Sequence, residues 1–210
     1  MKIKGSNWPV MMVVYEAGYH RGMAQLLAVQ LADFRIRTVG ATSRHEVLLA
    51  ISEHDLDFMV VAGCGEATID EHTGHVIQTA GEPPRFDGLG LGKLAKKKLP
   101  RLPGIFASGY VLSEPVLADI DRHGLAFLAK PFAITQLLEL VLLLLWYDER
   151  RISQPGHYFS RGCMKQRTGD LPGALRDLTK AIQLNPHDGE AFRHRNAVTR
   201  SLPNPFGLPL

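Results

Sequence analysis

Asp57-Phe58-Met59-Val60-Val61-Ala62-Gly63-Cys64-Gly65 is the stretch that decides the fold. Four consecutive apolar residues lie between an acid and a glycine-rich turn, the pattern of a short strand covered on both faces at the centre of a parallel sheet. Ligands of such sheets bind just past the carboxyl ends of the strands. Ala62 to Gly65 should therefore face the functional crevice. Until Cys64 that position carries no acid, hydroxyl or imidazole.

The chain on the amino-terminal side supplies two further βα units. Val10 to Val14 reads as a buried strand, and Leu26, Leu27, Val29 and Leu31 continue a helical segment from about 20 to 33. Arg35-Ile36-Arg37-Thr38-Val39 alternates and predicts a second strand nearer an edge. Ser43 followed by Glu46 forms a capping box ahead of Val47, Leu48, Leu49 and Ile51, and so opens a helix.

On the carboxyl-terminal side, residues 63 to 86 exceed the two to six residues of an ordinary strand-to-helix connection. Ala67 to Asp70 and His75 to Thr79 both alternate around Glu71-His72-Thr73-Gly74, which predicts an inserted β-hairpin closed by Pro83-Pro84. A helix from Leu89 to about Lys98, a strand at Gly104 to Ser108, a helix from Pro115 to about His123 and a strand at Ala126 to Ala129 follow. Strand and helix alternating five times indicate a doubly wound parallel sheet over residues 1–150. Lys93, Lys96, Lys97, Lys98 and Arg101 cluster at a helix C-terminus, where the helix dipole favours cations, so a solvated helix end accounts for them.

The last helix of this unit, Ala133 to about Arg151, is apolar almost all the way round. From Leu137 to Trp146 only Glu139 is polar, whereas a helix on a sheet needs one apolar stripe. Its outward face, with Leu140, Leu143, Leu144 and Trp146, needs a cover: the C-terminal segment with Tyr158, or a second copy of the chain.

Composition excludes several classes. The 210 residues are 45% hydrophobic and 21% charged, a globular composition, and the formal charge of +3 is too mild to call for nucleic acid. The longest apolar run, Leu140 to Trp146, falls far short of the roughly 20 residues of a membrane span, and no apolar signal core follows Lys2 and Lys4, so a cytoplasmic protein is expected. Cys64 and Cys163 lack CxxC or Cys/His metal spacing, which argues against a disulfide framework or zinc site. No cofactor is implied.

Phe127-Leu128-Ala129-Lys130-Pro131-Phe132, closing a five-fold βα unit of about 125 residues, resembles the end of the fifth strand of bacterial response-regulator receiver domains. The resemblance implies a five-stranded parallel sheet of flavodoxin or CheY-like order 2-1-3-4-5, and a Lys followed by cis-Pro that points its ammonium into a phosphorylation pocket. The acidic pair that holds magnesium in the family falls on Tyr15 and Glu16, the switch Ser or Thr on Ser108 and the rotating aromatic on Phe127. Asp87-Gly88 matches the opening of the third helix, and the phosphoacceptor Asp falls on Ala62.

Phosphoryl transfer to a receiver needs a carboxylate nucleophile and a divalent cation held by hard oxygen ligands. Ala62 supplies no oxygen and Tyr15 puts a phenol where an acid is needed. Glu16 alone is a weak relic of a metal site, so the pattern is that of a pseudo-receiver with no catalytic residues. Lys130 is then expected to pair with Glu16 as a structural ion pair, with anion binding beside Ser108 as the alternative. Ser108 reads as a satisfied hydroxyl and Phe127 as core. An enzyme using Cys64 with His72 or His75 is the remote alternative, because no spacing identifies a partner imidazole and buried thiols are usually inert.

After a linker at 151–156, Tyr158 to Pro186 resembles a single tetratricopeptide repeat within a helical segment at 157–202, ahead of a tail at 203–210. Gly162, Ala174, Leu178, Ala181 and Pro186 stand at the family's small, large and terminating positions, and Thr168-Gly169-Asp170-Leu171 at its inter-helix turn. One repeat cannot bury its apolar face alone. The resemblance thus implies protein partners; with the over-apolar helix a homodimer is expected, and the mild charge and short apolar runs argue against nucleic acid and membrane. Arg193, Arg195 and Arg200 on the last helix read as solvated.

Overall fold

The computed structural model describes residues 8–15, 21–63, 87–109, 112–146 and 154–202. Backbone contacts divide the chain into two units: Val10–Gln30 with Arg37–Ala133, and Ser6–Pro9 with Leu31–Ile36 and Ile134–Leu210. Helix α1, Arg21–Ala32, thus contributes its last two residues to the second unit.

In the first unit, β1 (Val10–Val14), β2 (Arg37–Ala41), β3 (Phe58–Ala62), β4 (Gly104–Ser108) and β5 (Leu125–Ala129) form one sheet in the order 2-1-3-4-5. All four ladders are parallel, as the sequence predicts. β1, β3 and β4 are buried at every residue; the side chains of β1 and β3 are all apolar, and β4 adds Gly104 and the buried hydroxyl of Ser108 to three apolar residues. Asp57 locks the start of the central pair: its carboxylate accepts from the Val10 N–H at 2.8 Å while its own N–H donates to the Val10 carbonyl at 2.9 Å. Met12, Val14, Met59, Val61 and Phe106 meet Val47, Leu89, Ala95, Val116 and Ile120 in the main core, contributed by α2 (Arg44–Glu53), α3 (Gly88–Lys98) and α4 (Glu114–Arg122).

The helix starts follow local chemistry. Ser43 accepts from the Glu46 N–H at 3.2 Å. The return half of the box is displaced by one residue: Glu46 accepts from the N–H and hydroxyl of Thr42, and these bonds hold its carboxyl below the usual range. Asp87 caps α3 by accepting from the Gly90 N–H at 2.7 Å. The basic end of α3 is only partly solvated. Lys93 pairs with Asp119 of α4 and Lys96 donates to the Leu102 carbonyl at 2.9 Å, whereas Lys97 and Lys98 are exposed.

Several boundaries differ from the sequence reading. The second strand starts at Arg37, not Arg35, because Arg35 has φ 53 and ends α1 in the left-handed conformation. The Ile36 N–H donates to the Leu31 carbonyl at 3.1 Å and the Arg35 N–H to the Ala32 carbonyl at 2.8 Å. Those two bonds make a Schellman motif, in which glycine usually occupies the position of Arg35. The alternation at 35–39 concealed this helix ending. The hairpin expected over 67–79 lies outside the described residues.

The second unit contains α5 (Ile134–Trp146), α6 (Pro155–Thr168), α7 (Leu171–Leu184) and α8 (Gly189–Ser201). α5 groups with these helices, although the sequence reading closed the receiver-like unit with it. α6 begins at Pro155, inside the stretch read as a linker, because proline suits the first helical turn. Gly169 at φ 93 ends α6, and Asp170 starts α7 by accepting from the Gly173 N–H at 2.9 Å. Inside the α6–α7 pair, Asp177 is buried and takes a forked hydrogen bond from Arg161 together with an ion pair to Lys165 at 3.0 Å.

α6 packs along α5. Leu137, Leu138 and Val141 are buried and Leu140 and Leu144 half-buried, but Leu143 remains 60% exposed. Tyr158 is half-buried, with the Arg161 guanidinium 5.7 Å from its ring centre.

Gly162 sets the approach of α6 to α7. A Cβ there would lie 2.8 Å from Leu178 Cγ and 3.3 Å from Asp177 Cβ. Gly162→Ala should therefore lower stability by about 1–3 kcal/mol through overpacking, outweighing the helix-propensity gain of roughly 1 kcal/mol. Urea unfolding checks this; a midpoint at or above wild type would contradict it.

Candidate functional site

The carboxyl ends of β1, β3, β4 and β5 bring most of the sequence-nominated residues to one edge of the sheet. The ladder runs on past the strands: the Gly63 N–H donates to the Ala107 carbonyl at 2.6 Å and the Lys130 N–H to the Ser108 carbonyl at 2.8 Å. Gly63, Ser108 and Lys130 are thus neighbours along the backbone ladder. Ser108 is 2% exposed, and its Oγ lies 3.0 Å from where a Cβ on Gly63 would sit. Any side chain at 63 would have to displace that hydroxyl. The Lys130–Pro131 peptide is cis.

Ala62 ends β3 with a fully buried methyl group opposite Ala107. Tyr15, half-buried after β1, lays its ring over Gly40 of β2, with its hydroxyl 3.1 Å from where a Gly40 Cβ would be. β1 separates β2 from β3, so the phenol leans away from the end of β3. Phe127 is half-buried and packs on the main core. Burial holds the Lys130 ammonium below the ordinary lysine value. Glu16, its expected partner, lies outside the described residues, as do Cys64, His72 and His75; the Trp146 side chain is likewise outside the description. Among the described residues no group of three His, Cys, Asp or Glu side chains could hold a metal ion.

A second cluster, in the second unit, was not nominated from the sequence. The Arg35 guanidinium lies 4.3 Å from the Trp8 ring centre and 4.0 Å from that of Phe159. It forks onto Asp188 at 2.6 and 2.9 Å and also bonds Glu190. Trp8 meets Phe159 edge-on at 6.1 Å, and His194 meets the same ring at 5.5 Å. Burial alone would raise the Asp188 carboxyl, but the Arg35 hydrogen bond and the Ala191 N–H bring it below the usual range. An open groove of about 800 Å³ adjoins the cluster, lined by Trp8, Asn185, His187, Glu190 and Arg193. Arg193 extends to solvent and pairs with Glu190, and Arg195 lies 5.3 Å from the Phe192 ring centre. Cys163 nearby is buried and its thiol is pushed up to about 12 by desolvation, which leaves it un-ionised at neutral pH.

No family model and no curated protein matches the chain. Among solved structures it is similar to the signal receiver domain of an HD domain-containing protein from Pseudomonas fluorescens Pf-5, with 17% identity, a TM-score of 0.51 and coverage of 68% of this chain and 98% of that one. A Francisella response regulator receiver domain is similar at 22% identity and a TM-score of 0.48, over 65% of this chain and 96% of that one. The fold, an all-parallel sheet of order 2-1-3-4-5 with its helices, is that of CheY-like receiver domains, and further helices follow it. No helix among the described residues is long and apolar enough to cross a membrane.

Because burial penalises the charged form of Lys130, the folded state holds that proton less tightly than the unfolded chain does. The penalty is fully present at neutral pH and vanishes as pH rises through the lysine range. Lys130→Met should therefore raise the unfolding midpoint at pH 7, with a gain that shrinks toward pH ~10. A loss of stability at pH 7 would contradict it.

Proposed function

We propose that this chain is a non-catalytic bacterial signalling module, in which a receiver-fold unit works without phosphorylation at the usual position and a tetratricopeptide-like helical segment makes protein contacts, self-association included. The observation that carries the reading is Ala62. It occupies the end of β3, the place of the phosphoacceptor in the receiver resemblance, as a buried methyl group with no oxygen to attack phosphorus. Tyr15 supports it, because its phenol lies over Gly40 of β2, away from the end of β3, and is a poor substitute for a carboxylate toward a hard cation.

For the helical segment, support comes from the burial of Gly162, Ala174, Leu178 and Ala181, from the close approach of Gly162 to Leu178, and from Asn185-Pro186 ending α7. These are the positions that carry the tetratricopeptide resemblance. A protein partner accounts for Leu143, whose large apolar side chain is 60% exposed on α5, and a second copy of the chain would serve.

Incubating the full chain with acetyl phosphate and magnesium, followed by intact mass measurement, tests the reading. The mass should not change. One added phosphoryl group, removable by hydroxylamine as an acyl phosphate is, would overturn it.

A further inference from the structure

The Arg35 cluster has the composition of a recognition site. A planar cation lies against two aromatic rings at 4.0 and 4.3 Å, its edge is read by a forked bond to Asp188, and a second carboxylate, Glu190, closes the set. Cation–π contact with two rings and a forked carboxylate bond together favour guanidinium over ammonium, which is a compact point charge that cannot make the fork. Asp188 and Glu190 are themselves fixed at the start of α8, where Asp188 accepts from the N–H groups of Glu190 and Ala191 at 3.2 Å. Phe159 is backed by His194, whose Nδ1 is bonded to Gln166 at 3.0 Å. The receiving half of the cluster is therefore held by contacts that do not involve Arg35.

The occupant arrives at a conformational cost. Arg35 sits at φ 53, at the glycine position of a Schellman motif completed by buried Leu31 and Ile36. Ending α1 there needs no side chain and is easier without one. Arginine at this place is explained by what its guanidinium reaches. The cage is also not sealed: it opens on the groove of about 800 Å³, and Glu190 remains half exposed.

We propose that Trp8, Phe159, Asp188 and Glu190 form an arginine-recognition cage that Arg35 fills in cis, and that an arginine-bearing segment of a protein partner engages the groove by exchanging with Arg35. Arg35 is then an autoinhibitory plug. Only the protein nature of the partner rests on the proposed interaction role of these helices; the cage itself is tested with a small probe, so its failure would leave that role standing.

Arg35→Gly removes the plug while placing at φ 53 the residue that conformation favours. The full-length variant and wild type are titrated with N-acetylarginine amide, or with its lysine analogue, while the Trp8 indole and the Gly189 and Glu190 amide signals are followed by NMR. Arg35→Gly should show saturable arginine-dependent shifts at these signals, with binding at least about tenfold weaker to wild type and about tenfold weaker for the lysine analogue, and binding should be lost in Arg35→Gly/Asp188→Asn. Should Arg35→Gly not fold, Arg35→Lys serves, with arginine affinity between the two. No response in the folded variants, or equal response to both probes, overturns the cage. Binding to Arg35→Gly with no response of wild type at any concentration makes Arg35 a permanent fixture and overturns the exchange.

Discussion

The rest of the first unit depends on β3 being buried on both faces and hydrogen-bonded on both sides. Phe58 to Ala62 pair with β1 and β4 in parallel ladders, and none of the five side chains is more than 2% exposed. A strand in that position forces its neighbours to be apolar as well. It also delivers whichever residue ends it to the crevice at the carboxyl edge of the sheet. Here that residue is Ala62, so the position where a receiver fold could place an acyl-phosphate nucleophile carries a methyl group.

Ala62 sits among ordered polar groups at the carboxyl edge of the sheet. Gly63 leaves room for the Ser108 hydroxyl, and the Ser108 carbonyl holds the Lys130 backbone. Burial holds the half-buried Lys130 ammonium below the ordinary lysine value. In the second unit the polar groups are used differently. Arg161 with Asp177 is a buried, fully enclosed pair that fixes α6 on α7, whereas Arg35 with Asp188 and Glu190 sits at the margin of an open groove. The first pair is covered on both partners; in the second, Glu190 is 49% exposed, whereas Arg35 is 20% and Asp188 9% exposed.

Much of the fold was legible because its strongest signals are local. Val10–Val14 and Gly104–Ser108 match their expected bounds, and Phe58–Ala62 falls within the opening stretch, since a doubly covered strand is an unbroken apolar run. The second strand was misplaced by two residues because the Schellman ending of α1 carries arginine where a glycine would have announced it. Glu46 was recognised as a capping partner, though its bonds fall on Thr42. At the site, the resemblance of Phe127 to Phe132 to the receiver family's Lys-Pro motif, with strand order, pointed to Ala62, Ser108 and Lys130. The arginine cage was illegible for the opposite reason: residues 8, 35, 159, 188 and 190 have no common spacing, and only tertiary packing brings them together.

With a methyl group at Ala62, the end of β3 is proposed to take no phosphoryl group. Beryllofluoride, a phosphoryl mimic that attaches to a carboxylate oxygen beside a bound magnesium ion, reports on that site without requiring a phosphodonor. Amide NMR spectra of the full chain, recorded in magnesium and again after beryllofluoride is added, should leave the signals of Gly63, Ser108 and Lys130 unmoved. Saturable, stoichiometric shifts at those three residues would show a working acceptor there.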